Sequence, residues 1–311
     1  MSVALVTGGA GFIGSHIVRA LLERGRAVRV LDDCSTGKRE NLAEVADRIE
    51  FVPGDICDAN TVARCMRDVD TVFHLAARAS VPRSVAEPLA AHNINVTGTV
   101  NLLIAARDAG VRRFVYSASS SAYGDTPVMP KTVDMRPLPL SPYAVSKLAA
   151  EYYCTCWTHV YGLPTVSLRY FNVFGPRQDP DSPYAAVIPA FVSRMLRGER
   201  PIVYGDGEQS RDFCFIENVV AANLLAAEVP TVRGEVVNIA CGQRTTLNEI
   251  VRDINRLLGT DIAPEYQPPR AGDVRHSLAD ISTAEHVLGY RPRVMFAEGL
   301  ERSLAWYKAN L

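Results

Sequence analysis

Apolar residues along the first half of this chain follow two alternating rhythms. Short β-branched runs at 3–7, 27–32, 49–53, 71–75, 113–117 and 165–170 predict strands. Between them, apolar positions recur at helical spacing over 11–24, 59–68, 86–109 and 142–161. The strand runs are apolar nearly throughout, as expected when helices cover both faces of a sheet. This alternation predicts an α/β fold built on a doubly wound parallel sheet. Beyond about residue 172 the rhythm breaks. Pro and Gly crowd 175–189 and 264–272, and helical stretches at 218–227 and 247–258 are separated by short, isolated strands. We read 1–172 as the sheet domain, with later segments returning to it, and 173–311 as a smaller, mixed C-terminal lobe.

A chain of 311 residues buries enough apolar surface to fold without disulfide or metal staples. Its 33 Lys+Arg against 34 Asp+Glu leave a net charge of −1, so bulk electrostatics favour neither nucleic acid nor an anionic membrane as partner. Hydrophobic residues at 48% and charged residues at 22% match an ordinary soluble globule and exclude a disordered or fibrous chain. The seven cysteines have no repeated metal spacing. Cys154 and Cys156, two apart in a helical stretch, point to different sides and cannot clamp one ion. Free thiols in a reducing compartment are expected. The six histidines show no metal-binding pairs, so no metal is expected, and His74 and His276 read as hydrogen-bonded structural residues. No segment approaches the 18 apolar residues of a membrane span, and Met1-Ser2 runs straight into an apolar strand without a basic leader. A cytoplasmic location follows as the expectation.

Thr7-Gly8-Gly9-Ala10-Gly11-Phe12-Ile13-Gly14 leaves the first strand and opens the first helix. Glycines at that spacing permit a tight turn, close approach of backbone to a pyrophosphate, and packing of helix on strand. The helix N-terminus adds N–H groups and a partial positive charge. Asp32 ends the second strand, placed to accept the adenosine ribose hydroxyls and repel a 2′-phosphate. Asp33 beside it is the alternative. The pattern predicts a dinucleotide site of Rossmann type that selects NAD.

Tyr143 and Lys147 stand four apart near the start of a predicted helix, about 40° apart on one face. Upstream, the fifth strand runs out at Ser117-Ala118-Ser119-Ser120-Ser121, at the carboxyl edge of the sheet where such folds bind ligands. A phenol titrates ordinarily near pH 10; a Lys cation and a positive nicotinamide ring would both lower that value. Such a Tyr takes a proton from a sugar hydroxyl while a serine holds that hydroxyl in line.

Together these residues resemble the extended short-chain dehydrogenases/reductases, and within them the nucleotide-sugar 4-epimerases. The resemblance spans essentially the whole chain, through the glycine turn, Asp55-Ile56, His74 to Ala77, Asn95, Ser119 to Gly124, Tyr143 with Lys147, Arg169 to Asn172, Arg211-Asp212-Phe213 and Arg270-x-Gly-Asp273. It implies tightly held NAD, a homodimer formed by a four-helix bundle, and a catalytic set of Ser119, Tyr143 and Lys147. Tyr143 would take the C4-hydroxyl proton, hydride would pass to NAD, and the 4-keto sugar would turn over before hydride returns to its other face. Cofactor contacts are implied for Gly8, Gly11, Phe12, Ile13 and Gly14, for Asp32, Asp33, Ser35, Thr36 and Gly37, and for Asp55 and Ile56. Leu75, Ala76, Ala77, Asn95, Tyr143, Lys147, Tyr170 and Phe171 complete that set. Dehydratases of the family carry Asp-Glu after the catalytic Ser or Thr. Ser120 and Ser121 occupy those places here and cannot do acid–base work near neutral pH.

For the substrate, the resemblance implies contacts from Arg78, Ser119, Ser120, Ser121, Asn172, Ala186, Val187, Tyr204, Arg211, Arg270, Asp273 and Ser277. Arginine forks suit a uridine diphosphate because they meet its oxygens bidentately. The position that gates the C2 substituent is Ser277, small enough to admit an acetamido group, so UDP-GlcNAc and UDP-GalNAc, with UDP-Glc and UDP-Gal, are the expected substrates. A UDP-glucuronate 4-epimerase would need a cation for the C6 carboxylate, with Arg78 and Arg177 as candidates. A non-catalytic NAD-binding sensor, or a dehydrogenase that releases NADH, are the other readings.

Overall fold

The computed structural model describes residues 2–180, 186–269 and 274–311. The first half runs β1 (Val3–Thr7), α1 (Phe12–Glu23), β2 (Ala27–Asp32), a 3-10 stretch Arg39–Arg48, β3 (Ile49–Pro53), α2 (Ala59–Cys65) and β4 (Val69–His74). Then come α3 (Val81–Ala86), α4 (Pro88–His92), a π turn Asn93–Thr97, α5 (Gly98–Asp108), β5 (Arg113–Ser119), α6 (Pro142–Tyr161) and β6 (Thr165–Tyr170). The second half adds β7 (Val173–Phe174), α7 (Val187–Leu196), β8 (Ile202–Tyr204), β9 (Ser210–Arg211), β10 (Cys214–Phe215), α8 (Ile216–Glu228) and β11 (Glu235–Ile239). It ends with β12 (Thr245–Thr246), α9 (Leu247–Leu258), β13 (Glu265–Gln267), α10 (Ser282–Leu288) and α11 (Phe296–Asn310).

Seven parallel strands form the central sheet in the order β11-β6-β5-β4-β1-β2-β3. Successive residues supply opposite faces. Ala4, Val6 and Phe73 join the core beneath α1 and α8, while Leu5 and Val72 join the one beneath α2, α5 and α6. The chain order reverses between β1 and β4, and the crevice beyond their carboxyl ends is where a doubly wound sheet receives its ligand.

Local chemistry sets the helix ends. Ser141 Oγ accepts from Ala144 N at 3.1 Å, Pro142 opens α6, and Gly162 closes it in the left-handed conformation (φ 70). Thr246 and Glu249 form a reciprocal capping box on α9.

Two expectations shift. The helix expected over 86–109 is interrupted: Glu87 leaves helical geometry (φ −131) ahead of Pro88, and a π turn spans Asn93–Thr97. The fifth strand runs to Ser119 rather than 117, so that serine itself ends the strand. Beyond 172, β11 pairs with β6 at the sheet edge, and α8 packs on α1.

Candidate active site

A cleft of about 680 Å³ opens at the carboxyl ends of the central strands. On one side lies the glycine turn. Gly8 has φ +70, and a Cβ there would stand 2.6 Å from Ala76 N. A Cβ on Gly14 would stand 2.2 Å from Gly8 O. No side chain caps α1, and Phe12, Ile13 and Gly14 line the cleft, so the positive end of the helix faces it. Gly11, Asp32, Asp33, Ser35, Thr36, Gly37, Asp55, Ile56, Leu75, Ala76 and Ala77 also line the cleft. The turn is thus a cradle that side chains would fill, and it fits a dinucleotide pyrophosphate. Two buried atoms of cleft residues, Arg78 Nε and Gln178 Oε1, lack a hydrogen-bond partner among the described residues.

Asp32 has a second task that its position in sequence does not reveal. One carboxylate oxygen accepts from Ala10 N at 2.9 Å and the other from Cys34 N at 2.8 Å, tying the glycine turn to the end of β2. Burial pushes its carboxyl above the usual carboxylate range, against the pull of those two amides. Asp33 accepts from Ser35 N at 2.9 Å.

The catalytic candidates meet at the centre of the cleft, where Ser117, Ala118, Ser119, Tyr143 and Lys147 are lining residues. The Tyr143 phenol has Ser119 as its neighbour, whose hydroxyl favours the charged form. Ser119 Oγ also accepts from Ser121 N and from Ser121 Oγ, the latter at 2.9 Å. Of the three serines, Ser119 alone is a lining residue among those described, and Ser121 donates to it. Lys147 Nζ donates to Ser117 O at 2.6 Å and lies 4.9 Å from the Tyr116 ring centroid. Burial pulls this ammonium down to about 7. The Tyr143 phenol is raised by burial, offset in part by the Ser119 hydrogen bond. In the protein alone burial is the dominant influence on both groups, disfavouring the charged form of each.

Behind the site, Asn95 on the π turn accepts from Arg78 N at 2.7 Å and donates to Ser146 Oγ at 2.9 Å. Ser146 Oγ in turn donates to Tyr143 O at 2.8 Å. Asn95 is buried away from the cleft, so it braces the Ala77-Arg78 loop against α6 instead of lining the dinucleotide wall. Phe171 is likewise buried, against Tyr123, while Tyr170 lines the cleft. His74 is enclosed, bonded at 2.8 Å to both Thr7 Oγ1 and Thr99 Oγ1, and His276 Nδ1 bonds Ser210 Oγ at 2.9 Å. Among the described residues no cluster could hold a metal ion.

On the substrate side, Arg78, Asn172 and Arg177 line the cleft. Asn172 Nδ2 donates to Asp212 O at 3.2 Å and to Ser277 Oγ at 3.3 Å, so Ser277 sits directly beside a cleft residue. Arg211 Nη1 donates to Ser210 O and Arg275 O, both at 3.0 Å. Ala186 is the N-cap of α7, Val187 its first residue, and Tyr204 ends β8; none of these three, nor Arg211, is a lining residue. Arg270 and Asp273 lie outside the described residues. Arg78 pairs with Glu87 at 2.5 Å and Arg177 with Glu44 at 2.9 Å.

The segment from Val173 to Pro180 also borders the cleft, as does the end of α11 at Trp306 and Asn310. His16 Nε2 bonds Pro176 O at 2.9 Å, and Lys38 pairs with Asp179 at 2.9 Å. The sequence holds no signal for this wall beyond its proline and glycine content. Its nearness to α1 is purely tertiary.

Known proteins share this architecture. The family model for the NAD dependent epimerase/dehydratase family matches residues 4–240. The chain is 41% identical over 308 residues to a UDP-glucose 4-epimerase of Mycolicibacterium smegmatis, covering 98% of each chain. Its structure superposes at TM-score 0.95 on a UDP-N-acetylglucosamine 4-epimerase of Methanobrevibacter ruminantium in complex with UDP-N-acetylmuramic acid, at 43% identity over 100% of this chain and 99% of that one. It superposes equally, TM-score 0.95 and 41% identity over 99% of both chains, on a UDP-glucose 4-epimerase of Thermotoga maritima with UDP-glucose. With the glycine cradle and the Ser119–Tyr143–Lys147 set in place at the sheet's carboxyl edge, the chain belongs to the NAD-dependent epimerase/dehydratase family of extended short-chain dehydrogenases/reductases.

Proposed function

We propose that this protein is a UDP-sugar 4-epimerase that interconverts UDP-GlcNAc and UDP-GalNAc and also accepts UDP-Glc and UDP-Gal. NAD, when bound against the glycine turn, supplies the acceptor for the hydrogen at C4 and a positive ring that brings the Tyr143 phenol down toward working pH. Tyr143 removes the proton of the C4 hydroxyl. Ser119, the neighbour of that phenol in the cleft, holds the hydroxyl in line. Lys147, fixed by Ser117 O, stabilises the phenolate. Ser120 and Ser121 offer no second acid or base, which disfavours dehydration. Arg211, with Arg270 and Asp273, is assigned to the nucleotide end.

The observation that carries the choice of sugar is the contact between Ser277 Oγ and Asn172 Nδ2. It supports Ser277 facing the substrate wall, where a serine leaves room for an acetamido group. The glucuronate alternative needs an unpaired cation, and its two candidates already face Glu87 and Glu44. The exposed apolar side chains along one face of α6, including Val145, Tyr152 and Val160, suit packing against a second copy, as the resemblance implies. NMR of a UDP-sugar panel incubated with the enzyme tests the assignment, because it reads substrate and product configuration together. Ser277→Tyr should suppress the acetylated reaction and spare the plain sugars. Wild-type enzyme that turns over UDP-Gal but leaves UDP-GalNAc untouched would overturn the specificity.

A further inference from the structure

Asp212 lies between β9 and β10, fully buried and outside the catalytic set. Its side chain carries no obvious chemistry, yet it collects backbone amides from two distant parts of the chain. One carboxylate oxygen accepts from Cys241 N at 2.9 Å; the other accepts from Gly242 N at 3.0 Å and Ala279 N at 3.1 Å. Its own carbonyl accepts from Asn172 Nδ2, which also reaches Ser277 Oγ. The stretch from Arg275 to Ala279 is thus held at two points. Ser210 pairs with it through backbone, Ser210 N to Arg275 O and Ser277 N to Ser210 O, each at 3.0 Å. Two residues beyond Ser277, the Asp212 carboxylate grips Ala279.

We propose that Asp212 is a positioning residue for UDP-sugar binding: its carboxylate locks the segment that carries Ser277 against the turn after β11 and against Asn172, setting the shape of the substrate wall without touching the reacting atoms. This rests on the UDP-sugar reading above but not on which sugar is preferred. A buried carboxylate that accepts from several amides is replaced by none of the neutral side chains. Asparagine keeps the volume but presents an NH2 to amide donors, so at least one grip is lost.

The test compares wild type with Asp212→Asn as purified holoenzymes. Affinities for UDP-glucose and UDP-GlcNAc, measured separately by titration, should both fall by roughly 10–100-fold. The kcat should stay within about three-fold and the NAD content should be unchanged, because Asp212 braces the opposite wall from the glycine turn. Preference for one sugar does not enter, since both titrations should weaken together even if the acetylated reaction proves absent. Wild-type affinity for both nucleotide sugars, or a parallel collapse of kcat and NAD content, would overturn the proposal.

Should the variant not fold, wild type carries a second test. Burial pushes the Asp212 carboxyl up to about 6, and protonation removes an acceptor from the amide cluster. Affinity for UDP-glucose, whose phosphates stay ionised, should therefore drop as pH falls through about 6. The titratable groups that face Asp212 are Cys214, Cys241 and Tyr290. His276 stands in the same wall, lowered by burial and by Arg244, Arg275 and Arg211. The acid limb should persist in His276→Asn. A flat profile, or a limb that disappears with His276, would refute the role.

Discussion

In Gly14→Ala the added methyl would stand 2.2 Å from Gly8 O, 2.7 Å from Gly9 Cα and 2.9 Å from Gly8 C. All three are backbone atoms of the turn, so no flexible side chain can swing aside. Relief requires the turn and α1 to separate by roughly 1 Å, in a region packed at crystal-like density. Overpacking of this kind costs about 1–3 kcal/mol, which at about 2 °C per kcal/mol for a chain of this size lowers Tm by about 2–6 °C. The same separation misaligns helix amides that meet the pyrophosphate. One charge-assisted bond lost weakens NAD by about 10–100-fold. Gly11→Ala is the graded control, since its Cβ meets a single atom, Gly8 O, at 3.2 Å, and its cost should stay below about 1 kcal/mol. The assay is the NAD released per protomer on denaturing the purified protein, with Tm recorded in parallel. Full NAD content and an unchanged Tm in Gly14→Ala would refute the cradle.

Tyr143→Phe should leave Tm and NAD content intact and lower kcat by about 10²–10⁴-fold; near-normal turnover would remove Tyr143 as the base. Asp32→Ala should relax discrimination against NADP and also cost about 1–3 kcal/mol of stability, because Ala10 N and Cys34 N lose their acceptor; unchanged Tm and cofactor affinities would contradict both tasks. Burial lowers His16 to about 4, so the fold favours its neutral ring. Its contribution is full above about pH 6.5 and is lost as pH falls toward 4, by up to about 3 kcal/mol. His16→Gln should flatten the stability–pH slope in that window, and an identical slope would assign the effect elsewhere.

Hydrophobic patterning along the chain dictates the layered α/β plan. Strand runs apolar at nearly every position can only be covered on both faces, and the glycines at 8, 11 and 14 can only serve where backbone must approach backbone. The sequence also placed Tyr143 and Lys147 on one helical face, since their spacing of four is a property of the helix alone. The break at Glu87 and the π turn after it were not legible, because the interruption is stabilised by what Asn95 reaches across the fold, Arg78 N and Ser146 Oγ. Nor did spacing reveal that Ser119 lines the cleft while Ser121 donates to it. That depends on two further residues of strand β5 and on the turn that follows. Asp32 read as a ligand contact and proved also to be a staple between two loops. Asp212 belonged to a motif of the resemblance, but nothing local showed its task, for its partners lie at 241–242 and 279. Local propensity writes the elements; hydrogen bonds between residues far apart in sequence are decided only when tertiary packing brings their donors and acceptors together out of water.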